Sequence, residues 1–176
     1  MTLANSLWSQ YMGTTAGHGL AHVFKTLNRK GLQEATNKGP FHHHLHEALL
    51  HALEAHILCC WLRVSKKEKV SELLSATPAK LIAWANEIEQ KYTSSEAVDD
   101  VPPGADDTFR GAVMFMRDTL VYLELYKAMR AGDCGCMERL IPDLLFCFSG
   151  SSNPKYTILF QELVQGIQHE WPPEVK

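Results

Sequence analysis

The segment 39–64, GPFHHHLHEALLHALEAHILCCWLRV, limits the fold more than any other. Its apolar residues Leu45, Leu49, Leu53, Ile57, Cys60 and Val64 recur every three or four positions. That spacing marks one face of a helix and does not suit a strand. Gly39 is placed as an N-cap and Pro40 as the first helical residue, where a missing N–H costs nothing. Leu50 and Trp61 widen the stripe, so this helix is expected to be covered on more than one side.

The other segments read as helices that pack around it. A short apolar helix is expected over 5–12, with Leu7, Trp8 and Tyr11 on one side. A second is expected over 18–29, with Leu20, Val23, Phe24 and Leu27 at helical spacing and Gly31 as its stop. Residues 65–76 form a weaker, basic helical turn. Thr77 then caps a helix that begins at Pro78 and buries Leu81, Trp84, Ala85, Ile88 and Tyr92. Residues 93–105 are polar, then acidic, then Pro102-Pro103-Gly104, and are expected to be a flexible loop.

Asp106 or Asp107 opens a long helix that ends at Gly132 and is apolar nearly all round. Arg110, Arg117 and Glu124 recur every seven residues on it as a polar ridge. Asp133 caps the next helical stretch, whose apolar face runs from Met137 to Phe148. Pro142 inside that pattern predicts a kink or break. Asn153 and Pro154 open the last helix, with Tyr156, Leu159, Phe160, Leu163, Val164 and Ile167 as its face. No stretch alternates with period two between turns. The fold class is therefore all-α, a six- to seven-helix bundle with no sheet, in one domain over 1–176.

Composition narrows the function classes. Hydrophobic content of 45% and charged content of 21% fit a folded chain rather than a disordered one. A formal net charge of -3 argues against a strongly basic nucleic-acid module. Five cysteines without any C-x-x-C fit reduced thiols better than a disulfide framework or a zinc ribbon. No apolar run approaches the roughly 20 residues of a membrane span. An intracellular protein, cytoplasmic or nuclear, with no membrane partner is the expectation.

Chemistry competes with packing mainly at the histidines. His42, His46 and His56 fall within the apolar stripe of the central helix. His43, Glu47, His51 and Glu54 fall on its polar edge, where i, i+4 spacing suits metal ligation. HEALLH is H-E-x-x-x-H, so its second histidine is swung about 140° from the first and the zinc-protease signature is absent. The pairs His18/His22 and His42/His46 are each i, i+4, and would bind zinc if they faced each other. Lys66, Lys67 and Lys69, or Arg29 and Lys30, are candidates for nucleic-acid contact, although basic helix ends are commonly just solvated. Glu47, Glu54, Asp118 and Glu124 are candidate acid–base groups, but no nucleophile–base–oxyanion set is readable and no catalytic residue is assigned. Arg117–Asp118 reads as a pair on the helix surface.

The stretch MRDTLVYLELYKAMRAGDCGCMERLIPDLLFCFSGSSNPKYTILFQEL is built as a helix, an Arg…Gly-Asp turn, a second helix ending in F-x-G and a last helix with a tyrosine. In this it resembles the C-terminal part of a fungal family, domain of unknown function 6589. The opening LWSQYMGTTAGHGLAHVFKTLNRKGL is similar to that family's middle portion. The resemblance implies a C-terminal portion of a longer family domain, associated with mobile elements. It carries over no catalytic residue. Cys134 and Cys136 around Gly135, and Pro154-Lys155-Tyr156, depart from the family pattern. The leading expectation is a non-catalytic helical interaction domain. Its partner would be an unknown protein or the N-terminal portion of the same family domain. Two alternatives are a support domain of a transposase-like nucleic-acid-processing protein and a metal-binding helical protein.

Overall fold

A computed structural model describes residues 2–11, 19–28, 43–102, 104–150 and 154–172. Among them there is no strand, and nine α-helices follow one another along the chain. These are α1 Thr2–Tyr11, α2 Leu20–Thr26, α3 His43–Ser65, α4 Pro78–Ile88, α5 Ser95–Asp99, α6 Asp107–Ala131, α7 Cys134–Arg139, α8 Ile141–Ser149 and α9 Pro154–Gln165. Seven of the nine are seven residues or longer, in keeping with the expected helical bundle. The expected Gly39–Pro40 start of the central helix and the Asn153 cap lie outside the described residues.

Local signals set several boundaries. The Thr77 hydroxyl accepts from the Lys80 N–H and Pro78 occupies the first turn of α4. Asp106 accepts from the Phe109 N–H at 2.9 Å and starts α6. Gly132 ends α6 with φ of 69°, a left-handed conformation that glycine adopts without a Cβ penalty. Asp133 then accepts from the Cys136 N–H at 2.9 Å. Pro142 falls in the first turn of α8, so the expected break appears as two helices joined at Leu140.

The core forms where α3 and α6 cross and where α1 covers both. Leu45, Leu49 and Leu53 of α3 are buried with Cys60, and Ile57 and Val64 pack partly buried beside them, as the stripe predicts. Trp8 and Leu7 of α1 are fully enclosed, and Trp8 meets Phe24 of α2 at 5.2 Å between ring centroids. By length and composition α3 is apolar enough to cross a membrane, contrary to the expectation that no segment is. Leu45, Leu49 and Leu53 lie buried in this core, whereas Leu58 is exposed.

Three expectations change. Residues 93–105 include α5, whose Ala97 and Val98 are buried with Val113 in a small second core. Arg110 of α6 donates to the carbonyls of Val98 and Val101, satisfying backbone acceptors of that segment. Ala85, placed on the buried face of α4, is exposed, whereas Ile88 is buried. The helix after α3 is a 3-10 turn, Val70–Ser75, with no buried residue.

Candidate functional site

The largest departure from the sequence reading lies in the middle of α6. Arg117 and Asp118 do pair, with Arg117 Nε donating to Asp118 Oδ1 at 2.8 Å. The pair is not on the surface: Asp118 is 5% exposed. Its second oxygen accepts from the hydroxyl of Tyr11, the last residue of α1. Tyr11 is held in place by an edge-on contact with Phe115, 5.5 Å between centroids. A signal was present in the sequence. Phe115, Asp118 and Tyr122 are spaced i, i+3, i+7, which sets the carboxylate on the buried face rather than on the ridge.

The network is electrostatically closed on one side. Burial opposes the Arg117 charge, but the hydrogen bond and charge of Asp118 more than offset it and raise the guanidinium pKa. Burial, then the Asp118 carboxylate, pushes the Tyr11 hydroxyl far up, so it stays protonated and remains a donor. Cys147 of α8 lies beside them, and burial and then Asp118 push its thiol up to about 12. A thiol so placed is not an activated nucleophile, because attack requires the thiolate. Both Asp118 oxygens already accept hydrogen bonds, which leaves the carboxylate poorly placed to take a proton from a substrate.

On the other side the network opens into a cavity of about 270 Å³. Gln10, Met114, Arg117, Phe146, Cys147 and Gly150 are among its walls, with Asp118 behind them. The Arg117 guanidinium carbon lies 5.6 Å from the centre of the Phe146 ring.

The four histidines proposed for zinc are placed only in part. His18 and His42 lie outside the described residues. His22 is exposed on α2. His46 is buried, with Nδ1 sharing a 2.8 Å hydrogen bond with the Tyr122 hydroxyl and its ring 4.2 Å from that of Tyr126. Among the described residues no three His, Cys, Asp or Glu side chains are grouped as metal ligands. The polar edge of α3 appears as expected, with exposed His43 pairing with Glu47 at 3.1 Å and His51 and Glu54 exposed. His56 donates from Nδ1 within its own helix to the Ala52 carbonyl at 2.7 Å. In the basic run, Lys67 pairs with Glu72 at 3.8 Å. Arg29 and Lys30 lie outside the described residues.

A second concave feature lies between α6, α7, α8 and α9. Leu125, Met129, Met137, Ile141, Phe160 and Trp171 line a groove of about 430 Å³. Among the described residues that line it, Glu138 alone is charged. Nearby, Phe148 of α8 stacks on Tyr156 and Phe160 of α9, at 5.1 and 5.5 Å. A π turn, Gly166–Glu170, then closes on Trp171, whose backbone N–H donates to the Gly166 carbonyl at 2.8 Å. Sequence periodicity identified the apolar face of α9 but not this opening.

Fold and sites together define a helical-bundle domain that holds, among the described residues, a buried carboxylate network and an open apolar groove. The chain belongs to the Family of unknown function (DUF6589), whose model matches residues 1–176. Comparisons with curated proteins and with solved structures find no match.

Proposed function

We propose that this is a non-catalytic interaction domain that receives an amphipathic helix of a protein partner in the α6–α9 groove. The observation that carries this reading is the groove itself: about 430 Å³, apolar on nearly every wall and closed by no described residue. Helix-in-groove recognition uses such surfaces, with apolar anchors spaced over two helical turns. Met129 and Met137 supply flexible, polarizable walls that adapt to different anchors. Glu138 supports a basic residue beside the apolar face of the incoming helix, which fixes its orientation.

The partner helix is supplied by a separate protein or by an N-terminal portion of a longer family polypeptide. A role in a fungal mobile-element protein belongs to the same proposal, supported by the sequence resemblance alone. The closed hydrogen bonding of Asp118 and the protonated Tyr11 and Cys147 support the non-catalytic part.

Fluorescence anisotropy with two synthetic helical peptides tests the reading. Both carry the same leucine face; one is flanked by lysines and the other by glutamates. The lysine peptide is expected to bind more tightly, and Met129→Asp to weaken it by about tenfold or more. Equal binding of the two peptides, or an unchanged affinity in Met129→Asp, would sink the proposal.

A further inference from the structure

The guanidinium of Arg117 is only partly used. Its Nε is committed to Asp118, and Asp118 is in turn committed to Tyr11. No described residue accepts from either Nη of Arg117, although the side chain is only 17% exposed. The buried polar atom without a partner among the described residues is Thr119 Oγ1, so the Nη groups reach open space rather than being sealed in. Guanidinium donors that solvent reaches are free to exchange water for the acceptors of a ligand.

The space beside them is suited to one class of partner. The Nη1/Nη2 edge of a guanidinium offers two parallel donors, which match the two oxygens of a carboxylate. Asp118 and Tyr11 lock the other edge, so the fork is preorganised and little rotamer entropy remains to be lost on binding. Phe146 stands over the guanidinium with 68% of its surface exposed. An exposed aromatic face next to a fixed cation favours a flat, apolar body attached to the anion. Met114 adds a further apolar wall, and the cavity of about 270 Å³ has room for a small acid.

We infer that the cavity between Arg117, Phe146 and Gly150 is a binding site for a small planar carboxylate. The carboxylate takes the free Nη edge of Arg117, and the ring or planar body of the ligand lies against Phe146. Asp118 and Tyr11 are positioning residues: Asp118, which also lines the cavity, holds Arg117 Nε, and Tyr11 holds the second oxygen of Asp118. This site is separate from the helix groove, so either inference stands if the other fails.

Benzoate and its uncharged isostere benzamide are the probes, with binding followed by ligand-observed NMR and by the chemical shifts of the full chain. Benzoate is expected to bind saturably with Kd of about 1 mM, as suits a ligand of few atoms, and benzamide about tenfold or more weaker. Three variants localise the effect. Gly150→Leu fills the cavity; a Cβ there meets nothing closer than the Cys147 carbonyl at 4.0 Å, and φ is -81°, so the backbone tolerates it. Phe146→Ala removes an exposed ring. Arg117→Lys keeps the charge and loses the fork. Each variant is expected to keep the wild-type helical circular dichroism and to weaken benzoate, Gly150→Leu most. Benzamide binding as well as benzoate, no saturation by about 10 mM, or unchanged affinity in a folded Gly150→Leu would each overturn the assignment.

Discussion

Helices α3 and α9 carry similar apolar stripes but meet opposite fates. α3 buries Leu45, His46, Ala48, Leu49, Leu53 and Cys60. α9 buries none of its residues, and Ile158 and Leu159 are 55% and 56% exposed. The difference is one of neighbours rather than of sequence. α3 is covered by α6, α4 and α1, whereas α9 packs mainly on α8. Apolar content marks a face that would gain from burial, but a second element has to arrive for the gain to be realised.

The same contrast separates the polar groups. Asp118 sits inside the α1–α6 side of the molecule with both oxygens bonded, while Glu138 stands at the rim of the open groove. Removing one member of a buried, hydrogen-bonded ion pair leaves the other charge unpaired. Asp118→Ala is therefore expected to destabilise the chain by about 3–5 kcal/mol in urea unfolding, and Glu138→Ala by less than about 0.5 kcal/mol. A cost for Asp118→Ala no larger than that of Glu138→Ala would break the comparison.

Leucine truncation examines the apolar side. Leu49 is fully buried, so Leu49→Ala is expected to lose about 2–5 kcal/mol. Leu159→Ala should change stability by less than about 0.5 kcal/mol in the same urea titration. A large loss at Leu159 would mean that α9 is covered in solution.

Gly166 offers a finer measure of the α9 end. A Cβ there would lie 2.5 Å from Trp171 Cε2, too close for both atoms to stay. Trp171 is 38% exposed and has room to move, so Gly166→Ala is expected to cost about 1–3 kcal/mol. Intrinsic fluorescence should shift as the indole leaves its seat. An unshifted spectrum and unchanged melting temperature would show that the Gly166–Trp171 contact does not hold the π turn.

His46 joins the two halves of the comparison, because it is a polar group on the buried face of α3. Burial, then the neighbouring His43, lowers its folded-state pKa below the ordinary 6.5. Glu47 acts the other way and Arg130 in the same sense as His43. The unfolded chain therefore binds this proton first. The contribution of His46 is fully present above about pH 6.5 and is lost as pH falls below it towards the lowered folded value. Urea midpoints at about pH 7.5 and about pH 5.5 should diverge more for wild type than for His46→Gln. Equal divergence would assign the pH dependence to other groups.

The smallest effect is expected at Thr119, fully buried on α6 with its hydroxyl unpaired among the described residues. Thr119→Val replaces that hydroxyl by a methyl of similar shape and should be neutral or stabilising by up to about 1 kcal/mol. A clear loss in the same urea assay would reveal a hydrogen bond that the hydroxyl makes in solution.

Much of the framework was legible in the residues, because its causes are local. The Thr77–Pro78 start, the Asp106 cap, the Gly132–Asp133 junction and the Pro142 break each depend on groups within a few positions of one another. The apolar stripe of α3 was legible for the same reason, since 3.6-residue periodicity is a property of one segment. The segment 93–105 was not, because its polar composition hid Ala97 and Val98, whose burial depends on Val113 of α6. Nor was the zinc arrangement, since spacing fixes two pairs of histidines but not whether the pairs meet.

The sequence by itself determined that this chain is helical, where several helices begin or end, and which face of the longer helices is apolar. Tertiary structure alone decided which of those faces are covered. It turned Arg117–Asp118 from a surface pair into a buried network by bringing Tyr11 to it across 107 positions of chain. Capping and periodicity act over a few residues, whereas burial, pKa and the opening of a cavity depend on what distant segments place alongside.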